Sequence, residues 1–166
     1  MRKVEFHHYG ENDFEVIWEA YKSKSFDLPE MGKLQFVAWL ANARKRYQEF
    51  LIVEHRSKPI AFVGAYFDGW KYEPHVEFFA SATKREVIES SVEFFTRLKR
   101  LDTVGVVVVK ALEGSKNLFD HVCKHGCLEY VGLMQKGDYR GNEYIYSTAG
   151  NALTATHTTT PTIGRL

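Results

Sequence analysis

Residues 102–132 constrain this chain more than any other stretch. Val104 to Val109 reads VGVVVV, an almost uninterrupted β-branched run, and such runs form strands buried on both faces. Glu113, Gly114 and Ser115 punctuate it, after which Leu118, Phe119 and Val122 recur at helical spacing. Lys124-His125-Gly126 closes the helix, with glycine where a left-handed C-terminal cap needs one. Cys127 to Met134 resumes as a strand. A strand–helix–strand unit places a helix N-terminus beside the end of a central strand, where open α/β sheets bind ligands.

The rest of the chain alternates in the same way. Val4 to Tyr9 reads as a strand, and Asn12 or Asp13 caps a helix carrying Phe14, Ile17, Trp18 and Tyr21 on one face. Beyond Pro29 a second helix is expected to turn Leu34, Val37, Leu40 and Ala41 inward and Arg44, Lys45 and Arg46 outward. Phe50 to His55 and Ile60 to Phe67 are strands joined through Arg56-Ser57-Lys58-Pro59. Asp68-Gly69 turns the chain again before a strand from His75 to Ser81. A helix beginning near Thr83 follows, with Val87, Ile88, Ser91, Phe94, Phe95 and Leu98 on its apolar side. After the buried strand and the short helix come Cys127 to Gln135 and Asn142 to Ser147, paired through the loop Gly137 to Gly141. The order β-α-α-β-β-β-α-β-α-β-β implies a mixed α/β sheet with helices on both sides, antiparallel in its first half and parallel in its strand–helix–strand units.

Charge and cysteine content narrow the partners. Among 166 residues, 22 basic side chains face 21 acidic ones, so no global field argues for nucleic acid or an anionic membrane. No apolar run reaches bilayer-spanning length, and MRKVEFHHYG has no signal-peptide core. A soluble, unsecreted protein is expected. Cys123 and Cys127 flank a helix end, a poor geometry for a bridge, and read as reduced thiols.

The element order resembles the GNAT (Gcn5-related N-acetyltransferase) fold over about residues 3 to 147, with residues 148–166 as a threonine-rich extended tail. The local match is Gly114 to Cys127, similar to the family's helix after its fifth strand. Lys124 and Gly126 fit that pattern. Ser115 stands where asparagine is expected, Cys127 replaces an aromatic, and Val122 occupies the place of the tyrosine that often serves as general acid. The family's glycine-rich acyl-CoA loop corresponds to Ala80 to Ser90. With Lys84 as the basic residue, Val87 and Glu89 stand at the glycine positions; with Arg85, Ile88 and Ser90 do. Neither register supplies a glycine, so the resemblance implies a degenerate pyrophosphate loop.

Two functions follow from the resemblance. In an acetyl-CoA-dependent N-acetyltransferase, backbone at Phe79, Ala80 and Ser81 would bind the pantetheine and Thr83, Lys84 and Arg85 the pyrophosphate. Ser115 would replace the asparagine, and Glu77 would deprotonate an amine. The alternation Val76-Glu77-Phe78 is equally what a half-exposed strand shows. The other function is a GNAT-shaped structural or assembly protein without a cofactor. The Gly114 to Gly126 spacing is similar to that of small GNAT-like virion-associated proteins of podovirus-type bacteriophages, which would place the chain in a virion or host cytoplasm. Its tail, with seven threonines between Thr148 and Thr162, suits strand addition to a neighbouring chain. Trp70, Tyr72 and Tyr139, near turns, are candidate anchors for a protein partner. No metal site is expected: His7, His8 and His75 lack a supporting carboxylate set. His121 and His125 have i, i+4 spacing, but at a fraying helix end.

Overall fold

The computed structural model describes residues 3–25, 28–101, 104–135 and 142–148. Seven strands and four helices follow one another as β1 (Val4–His8), α1 (Phe14–Lys22), α2 (Lys33–Arg46), β2 (Glu49–His55), β3 (Lys58–Phe67), β4 (Lys71–Phe78), α3 (Lys84–Lys99), β5 (Val106–Leu112), α4 (Lys116–Lys124), β6 (Glu129–Gln135) and β7 (Asn142–Ser147). This is the expected order. The strands lie β1-β2-β3-β4-β5-β7-β6, antiparallel throughout except for β4 beside β5.

Local chemistry explains most of the boundaries. Arg56 and Ser57 turn β2 into β3 with positive φ at both residues, the twist that a two-residue hairpin requires. Asp68 Oδ1 accepts the amides of Trp70 and Lys71, and Gly69 takes φ +89°, so β4 begins at Lys71, four residues before the expected start. Gly126 caps α4 at φ +71°.

Two apolar layers sandwich the sheet. On one face α3 and α4 cover Val53, Val63, Val107, Val109 and Tyr146. On the other, α1 and α2 cover Phe50, Ile52 and Phe62. Val106, Val107, Val108 and Val109 are all buried, as the valine run predicts.

Three expectations are corrected. The parallel pairing of β5 with β6 does not form, because β7 inserts antiparallel between them. Helix α2 is seated about a different stripe: Leu40 is buried as expected and Phe36 with it, while Leu34 is 87% and Val37 45% exposed and Ala41 is exposed too. Tyr72 is 2% exposed and its hydroxyl donates to Glu49 at 2.7 Å, so it is no surface anchor. Trp70 is 55% exposed, and Tyr139 lies outside the described residues, as does the tail beyond Thr148.

Candidate active site

The parallel contact between β4 and β5 is only two residues long, Lys71 opposite Val106 and Tyr72 opposite Val107. Beyond it the strands part. The cause is in the chain: Gly105 and Val106 donate their amides to the Trp70 carbonyl, which fixes Trp70 as a residue whose backbone faces β5. Backbone groups alternate sides along a strand, so Tyr72 and then Pro74 face β5 as well. Pro74 has no N–H to give, and the β4–β5 ladder ends at Tyr72 and Val107, while β5 continues to pair with β7 along its other edge from Val108 onward. From Glu73 to Phe78 the β5-facing edge of β4 has no ladder partner among the described residues.

Because β4 and β5 are parallel, the helices that follow them start at the same end of this gap. Thr83 caps α3, its hydroxyl accepting from Glu86 N at 3.3 Å while Glu86 Oε2 accepts from Thr83 N at 2.7 Å. This box uses two of the helix's free amides and leaves those of Lys84 and Arg85. Arg85 is turned along the helix, its Nε donating to Glu89 at 2.8 Å. Glu89 also holds Lys3 at 2.6 Å and the buried His55 at 2.8 Å. The bonds from Lys3, then Arg85 and His55, hold the Glu89 carboxyl down at about 2. Lys84 has no ion-pair partner among the described residues. Ser115 occupies the N-cap of α4 and makes no capping bond.

Phe79, Ala80 and Ser81 are not strand backbone; they form the turn after β4. Phe79 donates its amide to Ile60 O at 2.8 Å and is buried under α1 and α2. Ala80 N donates to Ser25 Oγ at 2.7 Å, and Ser81 O accepts from Lys58. The Phe79 and Ala80 amides and the Ser81 carbonyl are thus engaged within the protein, and the backbone edge without a ladder partner among the described residues is that of β4 before Phe78.

The face of β4 away from α3 carries Glu73, His75 and Glu77, opposite Tyr66, Gly64 and Phe62 of β3. On this side α1 and α2 pack over Phe50, Ile52 and Phe62 of β2 and β3, and His75 and Glu77 are exposed beside them, so this polar row is an open floor. Tyr47 lies flat over Gly64, where a Cβ would stand 2.5 Å from its ring. Its ring lies 4.9 Å from Tyr66 and 5.7 Å from His75. Burial pushes the Glu73 carboxyl up, but Lys110 at 2.6 Å and Lys71 at 3.5 Å overcome this and hold it below the usual range. Glu77 has no such partner. The surrounding protein alone pushes its carboxyl above the usual range although its side chain reaches solvent. Burial depresses the His75 imidazole, and burial, then Tyr66 and Glu77, raises the Tyr47 phenol.

The structure therefore brings Glu77, Thr83, Lys84 and Ser115 to the two strands that part and the helices that follow them, and withdraws Phe79 and Arg85. Val122, at the family's tyrosine position, is fully buried. Sequence reading missed Glu73, Tyr47 and Lys110 and did not assign His75 to this row. Pro74 and the period-two run Glu73-His75-Glu77 were the available signals. No group of three or more metal-ligating side chains occurs among the described residues.

Known structures share this fold. A RimL ribosomal L7/L12 α-N-protein acetyltransferase in complex with coenzyme A superposes with TM-score 0.69 at 10% identity, over 89% of this chain and 94% of that one. The fold is that of the GNAT acetyltransferases. A spermidine N-acetyltransferase SpeG chimera from Vibrio cholerae and hSSAT matches with TM-score 0.67 at 8% identity, over 88% and 95%. A ribosomal-protein-alanine N-acetyltransferase from Brucella melitensis matches with TM-score 0.59 at 14% identity, over 86% and 98%. No protein-family profile and no curated protein sequence matches the chain. No helix of the described residues is long and apolar enough to cross a membrane.

Proposed function

We propose that this GNAT-fold protein is an acyl-CoA-dependent N-acetyltransferase acting on an amine. The observation that carries the reading is the gap between β4 and β5, with an unpaired β4 edge and two helix N-termini at one end. An extended amide-bearing arm satisfies such an edge by strand-like hydrogen bonds. The free amides of Lys84 and Arg85, the Lys84 ammonium and the Ser115 hydroxyl are the groups that would hold the cofactor's polar end. When bound, the cofactor supplies the acyl group as a thioester.

This chain's own contribution is the open floor. Glu77, unpaired and less acidic than an ordinary carboxyl, takes a proton from the acceptor ammonium and leaves a neutral amine as nucleophile. Glu73 is already neutralised by Lys110 and Lys71, so Glu77 is the carboxylate of this row left to meet the acceptor. Val122 in the core supplies no acid, so the reading requires direct attack without a tyrosine proton donor.

A second reading rests on the Thr83–Glu86 box. With no glycine in the loop in either register and the carboxylates of Glu86 and Glu89 close by, the domain would keep the shape without the cofactor. It would serve as a particle component, with residues 148–166 and Trp70 contacting a neighbour. The neighbours named above are acetyltransferases and lend this role no support. Calorimetric titration of the full chain with acetyl-CoA separates the two. Micromolar binding weakened by Lys84→Ala supports the enzyme. No heat at millimolar ligand with folded protein refutes it in favour of the second reading.

A further inference from the structure

The last turn of α4 carries two histidines one turn apart, far along the helix from Ser115. His121 and His125 bring their Nε2 atoms to 3.4 Å, with ring centroids 5.2 Å apart. This contact is independent of the gap and the open floor, and neither ring contacts a carboxylate.

The separation is a chelate bite. Zinc–imidazole bonds are about 2.0–2.1 Å long. Two nitrogens 3.4 Å apart on one ion at that distance subtend about 110°, within a few degrees of tetrahedral. The two nitrogens are already in hydrogen-bond contact, so an ion held by both takes the place of the proton between them. The i, i+4 spacing is the one that puts two imidazoles on one helix face. The helix also ends here, so its last carbonyls present partial negative charge toward the site. Lys124 beside the pair opposes a cation, so the chelate rather than the net charge must supply the affinity.

The cysteines do not take part. Cys123 packs against the α3–α4 core, and the buried Cys127 Sγ lies 3.0 Å from the Thr96 hydroxyl. With two protein nitrogens only, the remaining positions on an ion stay open to water or to a donor from another molecule.

We propose that His121 and His125 form an exposed two-histidine chelate for a divalent late first-row transition ion, tightest for Cu²⁺ and weaker for Ni²⁺ and Zn²⁺. Titration of the full chain with NiCl₂ and with ZnCl₂ by calorimetry tests it. One ion should bind per chain, and the bound ion should raise the melting temperature by bracing the helix end. His125→Asn turns a two-point attachment into one and should weaken binding by about 10²-fold. His125 is exposed and His121 half-buried, and neither belongs to the core, so this variant and His121→Asn should keep the parent's circular dichroism. Cys123→Ser should bind as the parent does. Unchanged affinity in His125→Asn would place the ion elsewhere, at His7 and His8 or at His157, and would overturn the proposal. Loss of binding in Cys123→Ser would overturn it equally.

Discussion

Replacing Phe36 by alanine tests the seating of α2 against the sheet. The Phe36 ring is fully buried. It stacks on Tyr21 at 4.6 Å and Trp39 at 5.3 Å, with Trp18 at 5.2 Å and Phe14 at 6.3 Å. Truncating a buried Phe to Ala costs about 3–5 kcal/mol, transfer and cavity terms together. Each aromatic pair lost adds about 0.5–1.5 kcal/mol beyond area. Four stiff rings line the hole and cannot collapse into it, so the upper half of the range applies, about 4–5 kcal/mol. For a chain of this size, about 2–4 °C per kcal/mol gives a fall in Tm of roughly 8–20 °C. The control is two residues away. Leu34→Ala removes a side chain that is 87% exposed and should stay within about 0.5 kcal/mol of the parent. Urea unfolding followed by far-ultraviolet circular dichroism reads both variants. A Leu34→Ala cost above that of Phe36→Ala would mean that the helix sits in the register its sequence first suggests, and the reasoning would fail.

Further outcomes follow from the site. Glu77→Gln should lower kcat/KM by about 10²-fold or more; in the parent, activity should fall with acid through a midpoint above the ordinary carboxylate value, as the raised Glu77 carboxyl protonates. A loss under threefold would remove Glu77 as base. Glu89, held near 2 by Lys3, Arg85 and His55, has a depressed value when folded. Its stabilisation is complete above the unfolded carboxylate range and is lost as pH falls toward 2. Glu89→Gln should therefore flatten the parent's fall in Tm between about pH 4.5 and 2, and an equally steep fall would contradict the assignment. Thr83→Ala removes a cap whose bond is a long 3.3 Å, so the cost should be near 0.5–1 kcal/mol, the low end for such caps, read as a small drop in thermal midpoint.

The candidate site was only partly legible in the sequence. The apolar stripe through Val87, Ile88, Ser91, Phe94, Phe95 and Leu98 placed the start of α3 near Thr83, where the structure finds a capping box with a local cause. Glu77 stood out as a carboxylate in a strand. Its neighbours did not. Tyr47 reaches the floor only because Gly64, 17 positions later, leaves room for its ring, and Lys110 meets Glu73 across two strands 37 residues apart. Such pairings depend on how strands are ordered, and no local pattern encodes that order.

What the sequence determined by itself was the series of elements and many of their turns, because these follow from short-range forces. The valines of β5 favour extended backbone, Asp68-Gly69 and Gly126 permit turns that other residues resist, and Thr83 satisfies its own helix. What the tertiary structure decided was which neighbour each element chose. The insertion of β7 between β5 and β6 turns on whole edges competing for hydrogen bonds. Helix α2 has apolar residues on both sides, Leu34 and Val37 as well as Phe36 and Leu40, so its periodicity admits two seatings. The aromatic cluster of α1 and the face of β2 and β3 select the one with Phe36 inward, since burying that ring among four others gains more than burying Leu34 on a surface with nothing to receive it.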